Sequence, residues 1–312
     1  MKTTPEYDYI ELQRQTEQQY SRKHVLRKIR DFLFAEPEVQ RKITQGAELL
    51  KEWLSSDHHK SKQKRLAELR DFDLEILTRD VITHSSIILK PELFVSFTSQ
   101  LAHSLNFSDR CDAIATVAEI VVVLAQLDAY DIIKPSREAS LQIRSRINLP
   151  HEMQEAVQRS HYLPPMLAEP DLITNNYQSP YLTFNDCQIL GKGNGHTGEI
   201  GLDVINTQNG VQLILNEQFL KTVEEEPGYE LDSLGKQQDW AVFKRQSKDV
   251  YDLIIETGNT FWETHKVDKR GRLYVNGYHV TTMGTPYKKA MIDLAKKELV
   301  TGVPNQTEGK IQ

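Results

Sequence analysis

The longest uninterrupted apolar run of the chain is Ile120-Val121-Val122-Val123-Leu124-Ala125, and it constrains the fold more than any other segment. A bilayer-spanning helix needs ~20 apolar residues. This run is far shorter, so it must be covered by the protein itself. It lies in residues 109–127, a stretch apolar on most faces, with Ser108 as the expected N-cap; the pattern predicts a central core helix. Around it apolar residues recur at helical spacing. Residues 7–34 read as a polar helix whose later turns carry a stripe of Ile10, Leu26, Ile29, Phe32 and Leu33. Pro37 opens a second helix through Leu49, Leu50, Trp53 and Leu54, and further helices are expected over 66–82 and 91–105. Residues 57–65 read as a basic, solvated connector. Its adjacent His58 and His59 lack the carboxylate or cysteine partners that a metal site requires. No fixed-period repeat is present, which argues against a helical solenoid.

The texture then changes. Residues 131–147 hold two short alternating runs around a polar turn, the pattern of a β-hairpin, with Arg144 or Arg146 on its outward face. Residues 163–201 are rich in Pro, Gly, Asn and Tyr and read as loops and short strands. Helical periodicity returns over about 202–223 and 236–262, on either side of the acidic link Glu224-Glu225-Glu226-Pro227-Gly228. The expectation is a mainly α fold with small β elements (α+β), divided near residues 149–150 into a helical domain, 1–149, and a second domain, 150–312.

With 39% hydrophobic residues among 312, the chain can bury a substantial core. Cys111 and Cys187 are too few for a disulfide framework or a cysteine-based zinc site. The first residues, Met1-Lys2-Thr3-Thr4-Pro5-Glu6, turn acidic at once and do not form a signal peptide, so a soluble protein of a reducing cytoplasm is expected. The net charge of −6 runs against unaided nucleic-acid binding, which draws most of its affinity from phosphate neutralisation. Any such role has to rest on a local patch or on an oppositely charged partner.

Two segments invite a chemical reading. Residues 191–198, Gly-Lys-Gly-Asn-Gly-His-Thr-Gly, have glycines suited to a phosphate cradle, but neither the Gly-Lys-Ser/Thr order nor the strand-before, helix-after context is met, which favours a surface loop. No Ser-His-Asp order, paired-carboxylate motif or His-Glu-x-x-His is visible, so no independent hydrolase is expected. Residues 261–274 suit a nucleic-acid backbone. Gly271 allows close main-chain approach, Arg272 offers a planar fork of donors matched to phosphate oxygens, and Asp268 could hold that guanidinium in place. Thr285-Pro286 then starts a capped helix with Tyr287, Met291, Leu294 and Ala295 on its apolar face, Lys288, Lys289, Lys296 and Lys297 at its edges, and Gly302 and Pro304 at its end. A turn followed by an ordinary solvated helix satisfies the same pattern.

Here the sequence resembles the phage-and-mitochondrial single-subunit RNA polymerase family. Asp268-Lys269-Arg270-Gly271-Arg272 matches its D-x-x-G-R motif, followed by the aromatic Tyr274, and residues 290–296 resemble its "leucine-x-x-alanine" helix. Upstream and in the family's order, residues 204–216 resemble the Q-N-T-x-W-x-I-N helix leading into the thumb, and residues 163–183 resemble the proline-rich segment and glycine-rich strands before it. Gln212 stands where the family has Trp, and Gly210 where it has Thr. The stretch between Asn216 and Asp268 is short, implying a reduced thumb, and the family's metal-binding aspartates, which lie in later motifs, have no counterpart.

The resemblance therefore implies an N-terminal helical domain, a reduced thumb and the start of the palm of a right-hand polymerase, with no catalytic residue in this chain. Two-polypeptide forms of the enzyme occur in schitovirus-type podoviruses, and the sequence resembles their smaller subunit. The implied partners are a larger subunit carrying the catalytic aspartates and their Mg²⁺, template DNA, the RNA–DNA hybrid and accessory promoter factors; the implied setting is the host cytoplasm. Asp268, Arg270, Gly271, Arg272, Tyr274 and Lys289 would contact template or hybrid. The hairpin with Arg144 and Arg146 would sit where the family separates promoter strands upstream. The alternative is a non-enzymatic DNA-binding regulator derived from the same fold.

Overall fold

The structure, a computed structural model, describes residues 8–70, 72–102, 109–137, 139–191 and 193–297. They form a mainly α protein with small sheets. No helix among them is long and apolar enough to cross a membrane. The chain separates into two compact units, Arg22–Gln158 and a second built from Met1–Ser21 with Arg159–Gln312. This differs from a single division near 149–150: the second crossing falls nine residues later, and the first helix joins the C-terminal unit.

In the unit Arg22–Gln158, α7 (Arg110–Leu124) is the central helix, with Ala113, Val117, Ile120, Val121 and Leu124 all buried. Asp109 caps it, its carboxylate accepting the amide of Asp112 at 2.9 Å; Ser108, the expected cap, lies outside the described residues. Helices α2 (Arg22–Ala35), α3 (Pro37–Ser55), α5 (Leu74–Ser86) and α6 (Phe94–Leu101) pack in the same unit. Contact between α3 and α5 is close enough to require Gly46, because a Cβ there would meet Thr78 Cγ2 at 2.5 Å.

Residues 57–65 are not a simple connector: α4 (Lys60–Leu66) begins inside them, and Lys62 and Arg65 both pair with Glu119 of α7, at 2.5 and 2.6 Å. His58 turns back to the Trp53 carbonyl at 2.7 Å, at the end of α3. Among the described residues no group of three or more His, Cys, Asp or Glu is placed to hold a metal ion. The expected hairpin is present as β2 (Tyr130–Ile133) against β3 (Gln142–Ser145), with Ile132 opposite Ile143. The short β1 (Glu92–Leu93) completes an antiparallel sheet in the order β1-β3-β2. Helix α8 (His151–Arg159) follows it.

Residues 7–34 form two helices rather than one. The first, α1 (Tyr9–Tyr20), ends at Ser21, whose backbone is extended at φ −75°, ψ 124°. The break has a physical cause in the polar face of α1. The buried Glu17 carboxylate accepts the amides of Leu182 at 2.9 Å and Thr183 at 2.8 Å, the Thr183 hydroxyl at 2.5 Å and the Gln13 side-chain amide at 2.8 Å. Gln13 Oε1 in turn accepts the Leu167 amide at 2.7 Å. These side chains satisfy loop backbone that has no strand partner, and so fix α1 in the unit of residues 159–297.

Within that unit the expected helix over 202–223 is interrupted. After α9 (Leu202–Asn209) comes β4 (Gln212–Leu215), and Asn216 then caps the short α10 (Glu217–Thr222). Leu213 and Leu215 point inward, a period of two that pairing with β5 (Phe261–Trp262) and β8 (Ile292–Leu294) fixes as strand. The long α11 (Leu234–Glu256) stops before 262, where Gly258 (φ 106°) and Asn259 (φ 51°) turn the chain. Asn259 then bonds both the amide and the carbonyl of Leu215, each at 2.9 Å, in place of a strand neighbour. The expected helix from Thr285 is also shorter: α12 spans Pro286–Ala290, and the chain turns at the buried Met291 into β8. Gly302 and Pro304, its expected end, lie outside the described residues.

Replacing Glu17 by Ala leaves several buried amides without an acceptor, at ~1–3 kcal/mol for each such group. Glu17→Ala is therefore expected to lower stability by about 3 kcal/mol in urea unfolding, and Glu17→Gln, which keeps one carbonyl oxygen, by less. A loss in Glu17→Ala below about 0.5 kcal/mol would contradict a role for this carboxylate in holding the loop.

Candidate nucleic-acid interface

The D-x-x-G-R residues form the turn of a two-stranded antiparallel hairpin, β6 (His265–Val267) and β7 (Leu273–Val275). The Gly271 amide donates to the Asp268 carbonyl at 2.9 Å, and the Asp268 amide to the Arg272 carbonyl at 2.9 Å. Gly271 itself has φ 79°, so this is a tight turn closed by a residue in the left-handed region. Glycine serves the backbone angle here. A Cβ would meet nothing within 4 Å, so no crowding from the chain's own atoms demands it.

Asp268 organises the turn. One carboxylate oxygen accepts the amides of Arg270 at 2.9 Å and Arg272 at 3.0 Å. The other accepts Arg272 Nε at 2.8 Å and lies 2.6 Å from Nη2. The hydrogen-bonded Arg272 guanidinium, helped by the two amides, holds the Asp268 carboxyl down at about 2. Arg272 lies over the Tyr274 ring, 5.8 Å from its centroid, with its side chain 59% exposed. Nη1 takes no part in the Asp268 pair, so the guanidinium is held from one side and presented to solvent on the other. A cation fixed in this way suits a phosphate oxygen. Arg270 is exposed on the same turn, and Lys289 is exposed on α12.

Five stretches of chain hold the strands that carry this turn. Met166 and Trp262 exchange both backbone bonds at 2.9 Å. Tyr181 hydroxyl and Thr264 hydroxyl are 2.9 Å apart. Asn209 Oδ1 accepts the His265 amide at 2.8 Å and lies 3.0 Å from His265 Nδ1. Val267 bonds to Gln188 and Leu190, and Leu213 pairs with Phe261. The segments containing Met166 and Tyr181, Asn209 and Leu213, and Asp268 and Arg272, which are far apart in sequence, thus meet on one short run.

The neighbouring charges are mostly committed. Lys266 pairs with Asp186 at 2.5 Å. Lys288, which sequence reading set at a helix edge, is buried: its Nζ donates to the Tyr278 carbonyl and lies 4.7 Å and 5.1 Å from the Tyr278 and Phe243 ring centroids. Burial lowers its pKa. His279, beside Ser247 Oγ at 2.8 Å, is likewise pushed down by burial to about 4, so it is neutral at pH 7. Asn209, Lys266 and Lys288 were not legible as site residues, since one buried asparagine or one lysine among several carries no distinguishing local pattern.

In the other unit, Arg144 and Arg146 do lie on the exposed side of the β2–β3 hairpin, but both are tied to carboxylates. Arg144 meets Asp131 Oδ2 at 2.8 Å; Arg146 meets Asp131 Oδ1 at 2.8 Å and Asp128 at 3.0 Å. The hydrogen bond from Arg144 is the main cause that lowers the Asp131 pKa. The described residues of 191–198 lie outside helix and strand, with Asn176 Nδ2 donating to the His196 and Gly198 carbonyls, each at 2.7 Å; α9 starts only at Leu202. No protein-family model and no curated protein matches the chain.

The Asp268 turn has a defined pH dependence. Its folded pKa lies below the ordinary carboxylate value of ~3.9, so its contribution is present above pH ~4 and is lost as pH falls towards 2. Carboxyl NMR titration is expected to give a midpoint for Asp268 near 2, rising in Arg272→Ala but staying below the ordinary carboxylate value because the amides of residues 270 and 272 remain. A midpoint near 4 in the unsubstituted protein would mean that the pair does not form in solution.

Proposed function

We propose that the chain is the smaller, non-catalytic-carboxylate subunit of a split phage-type DNA-directed RNA polymerase, supplying the N-terminal domain, the reduced thumb and the D-x-x-G-R turn. One observation carries the reading most: the two upstream segments that resemble the family converge on residues 261–267, immediately before the third, the turn that fixes Arg272 through Asp268. Asn209 and Tyr181 anchor the strand that carries the turn, which supports the reading.

In this reading Arg272 and Arg270 meet phosphates of the template strand or the RNA–DNA hybrid, with Tyr274 beneath Arg272 and Lys289 as a further contact. Asp268, for which the resemblance implies a contact of its own, has both carboxylate oxygens taken up within the turn and in this reading positions the guanidinium. The two-metal chemistry of nucleotide transfer, with Mg²⁺ and its aspartates, belongs to the larger subunit. That subunit also offsets the acidic balance of this chain. Host cytoplasm is the corresponding setting. Arg144 and Arg146 would reach DNA only by exchanging Asp131 and Asp128 for phosphates, which makes the β2–β3 hairpin the weaker contact.

Arg272→Ala removes a charge-assisted bond of ~1–3 kcal/mol. RNA synthesis by the two-chain enzyme is expected to fall about 5- to 100-fold, while the two chains still co-elute on gel filtration. Full synthesis by the Arg272→Ala enzyme would remove Arg272 from the interface.

A further inference from the structure

The face of the hairpin that carries Arg272 continues into a cleft of about 340 Å³ whose walls are aromatic. Lys266 and Tyr274 are directly opposite in the β6–β7 register, so their side chains share a face, and Arg272 lies over Tyr274 on that same face. Lys266 also lines the cleft. Beyond it stand two stacked aromatic pairs. Tyr162 and Tyr278 are nearly parallel at 3.6 Å and 10°, and Tyr181 and Phe184 stack at 5.0 Å and 22°.

This arrangement is built rather than incidental. Thr264 ties one wall to the floor, because its hydroxyl meets the Tyr181 hydroxyl at 2.9 Å and Asn276 Nδ2 at 3.3 Å. Asp186 holds Lys266 so that only 13% of its side chain is exposed. Gly277 lets the chain turn beside the cleft, since a Cβ there would meet the Val280 carbonyl at 2.5 Å. From its other side the Tyr278 ring is backed by Lys288. Tyr162 nonetheless remains 44% exposed, and Tyr278 37%. Two large rings kept in solvent at the mouth of a cleft, on the hairpin face that also bears Arg272, suit a flat apolar ligand attached to phosphate.

We propose that this cleft seats an unstacked nucleobase of a single-stranded nucleic acid whose phosphate is held by Arg272. Aromatic faces take any base by stacking, while the charge of Lys266 is spent on Asp186, so the phosphate falls to Arg272. A duplex cannot use the cleft, because its bases are already stacked and paired. The inference rests on the reading of the Arg272 turn as a nucleic-acid interface and adds which form of nucleic acid it takes.

Fluorescence anisotropy of the full chain at low salt tests it, with labelled thymidine and uridine single strands and a duplex of equal length. Both single strands, or one of them, are expected to bind more tightly than the duplex. Tyr162→Leu and Phe184→Leu are each expected to weaken single-strand binding by about 5- to 100-fold, the loss of one stacked base. The preferred sugar tells whether the strand is template or transcript. Photo-crosslinking with a thio-substituted single strand, mapped by peptide mass, is expected to mark residues of the cleft. The inference is overturned if no single strand binds, or if both variants bind as the unsubstituted chain does. If those variants are normal while Arg272→Ala cripples synthesis, the cleft fails alone. If they lose binding while Arg272→Ala synthesises RNA normally, the polymerase reading fails and the cleft stands.

Discussion

Backbone satisfaction along residues 261–267 is the constraint on which the rest of the C-terminal unit depends. Seven residues of mostly extended chain carry donors and acceptors that no single long sheet supplies. The molecule meets them piecemeal, with Leu213 opposite Phe261, Met166 opposite Trp262, Asn276 against Thr264, Asn209 against His265 and Gln188 against Val267. An unpaired buried amide costs ~1–3 kcal/mol. The loops of residues 163–190 are therefore placed by the strand they serve. The Asp268 turn inherits its position from the same run, since it begins one residue after Val267.

The second consequence concerns the chain's beginning. Loops rich in Pro, Asn and Gly have few regular partners, and Glu17 with Gln13 acts as a substitute strand edge for Leu167, Leu182 and Thr183. A buried carboxylate is tolerated when its oxygens accept several bonds, and here backbone and hydroxyl groups, rather than a cation, provide them. The same loops supply Tyr181 and Phe184 to the aromatic cleft, so α1, although distant in sequence, helps set the wall on which a base would stack.

The sequence made some of this legible. The core helix around Ile120, the start of α3 at Pro37 and the β2–β3 hairpin follow from patterns that local physics decides. Gln212–Leu215 and Ile292–Leu294 fit a continued helix as well as a strand, because so few residues do not separate a period of two from one of 3.6. What settles them as strands is each other, across a separation the local pattern does not contain. The break at Ser21 has the same character, because its cause lies at residues 167 and 182–183. At the site, Asp268 holding Arg272 was readable from residue type and spacing. Lys288 and Lys289 were not distinguishable as buried and exposed, and the cleft was invisible because Tyr162, Tyr181, Phe184 and Tyr278 meet only in three dimensions.

The most direct measurement is purification of the tagged chain from its native host, followed by RNA synthesis on single-stranded template with Mg²⁺. The expected result is a second polypeptide that co-purifies, together with RNA made by the pair and by neither chain alone. A chain that emerges without a partner and supports no synthesis would contradict the polymerase reading and leave a DNA-binding protein without nucleotidyl transfer.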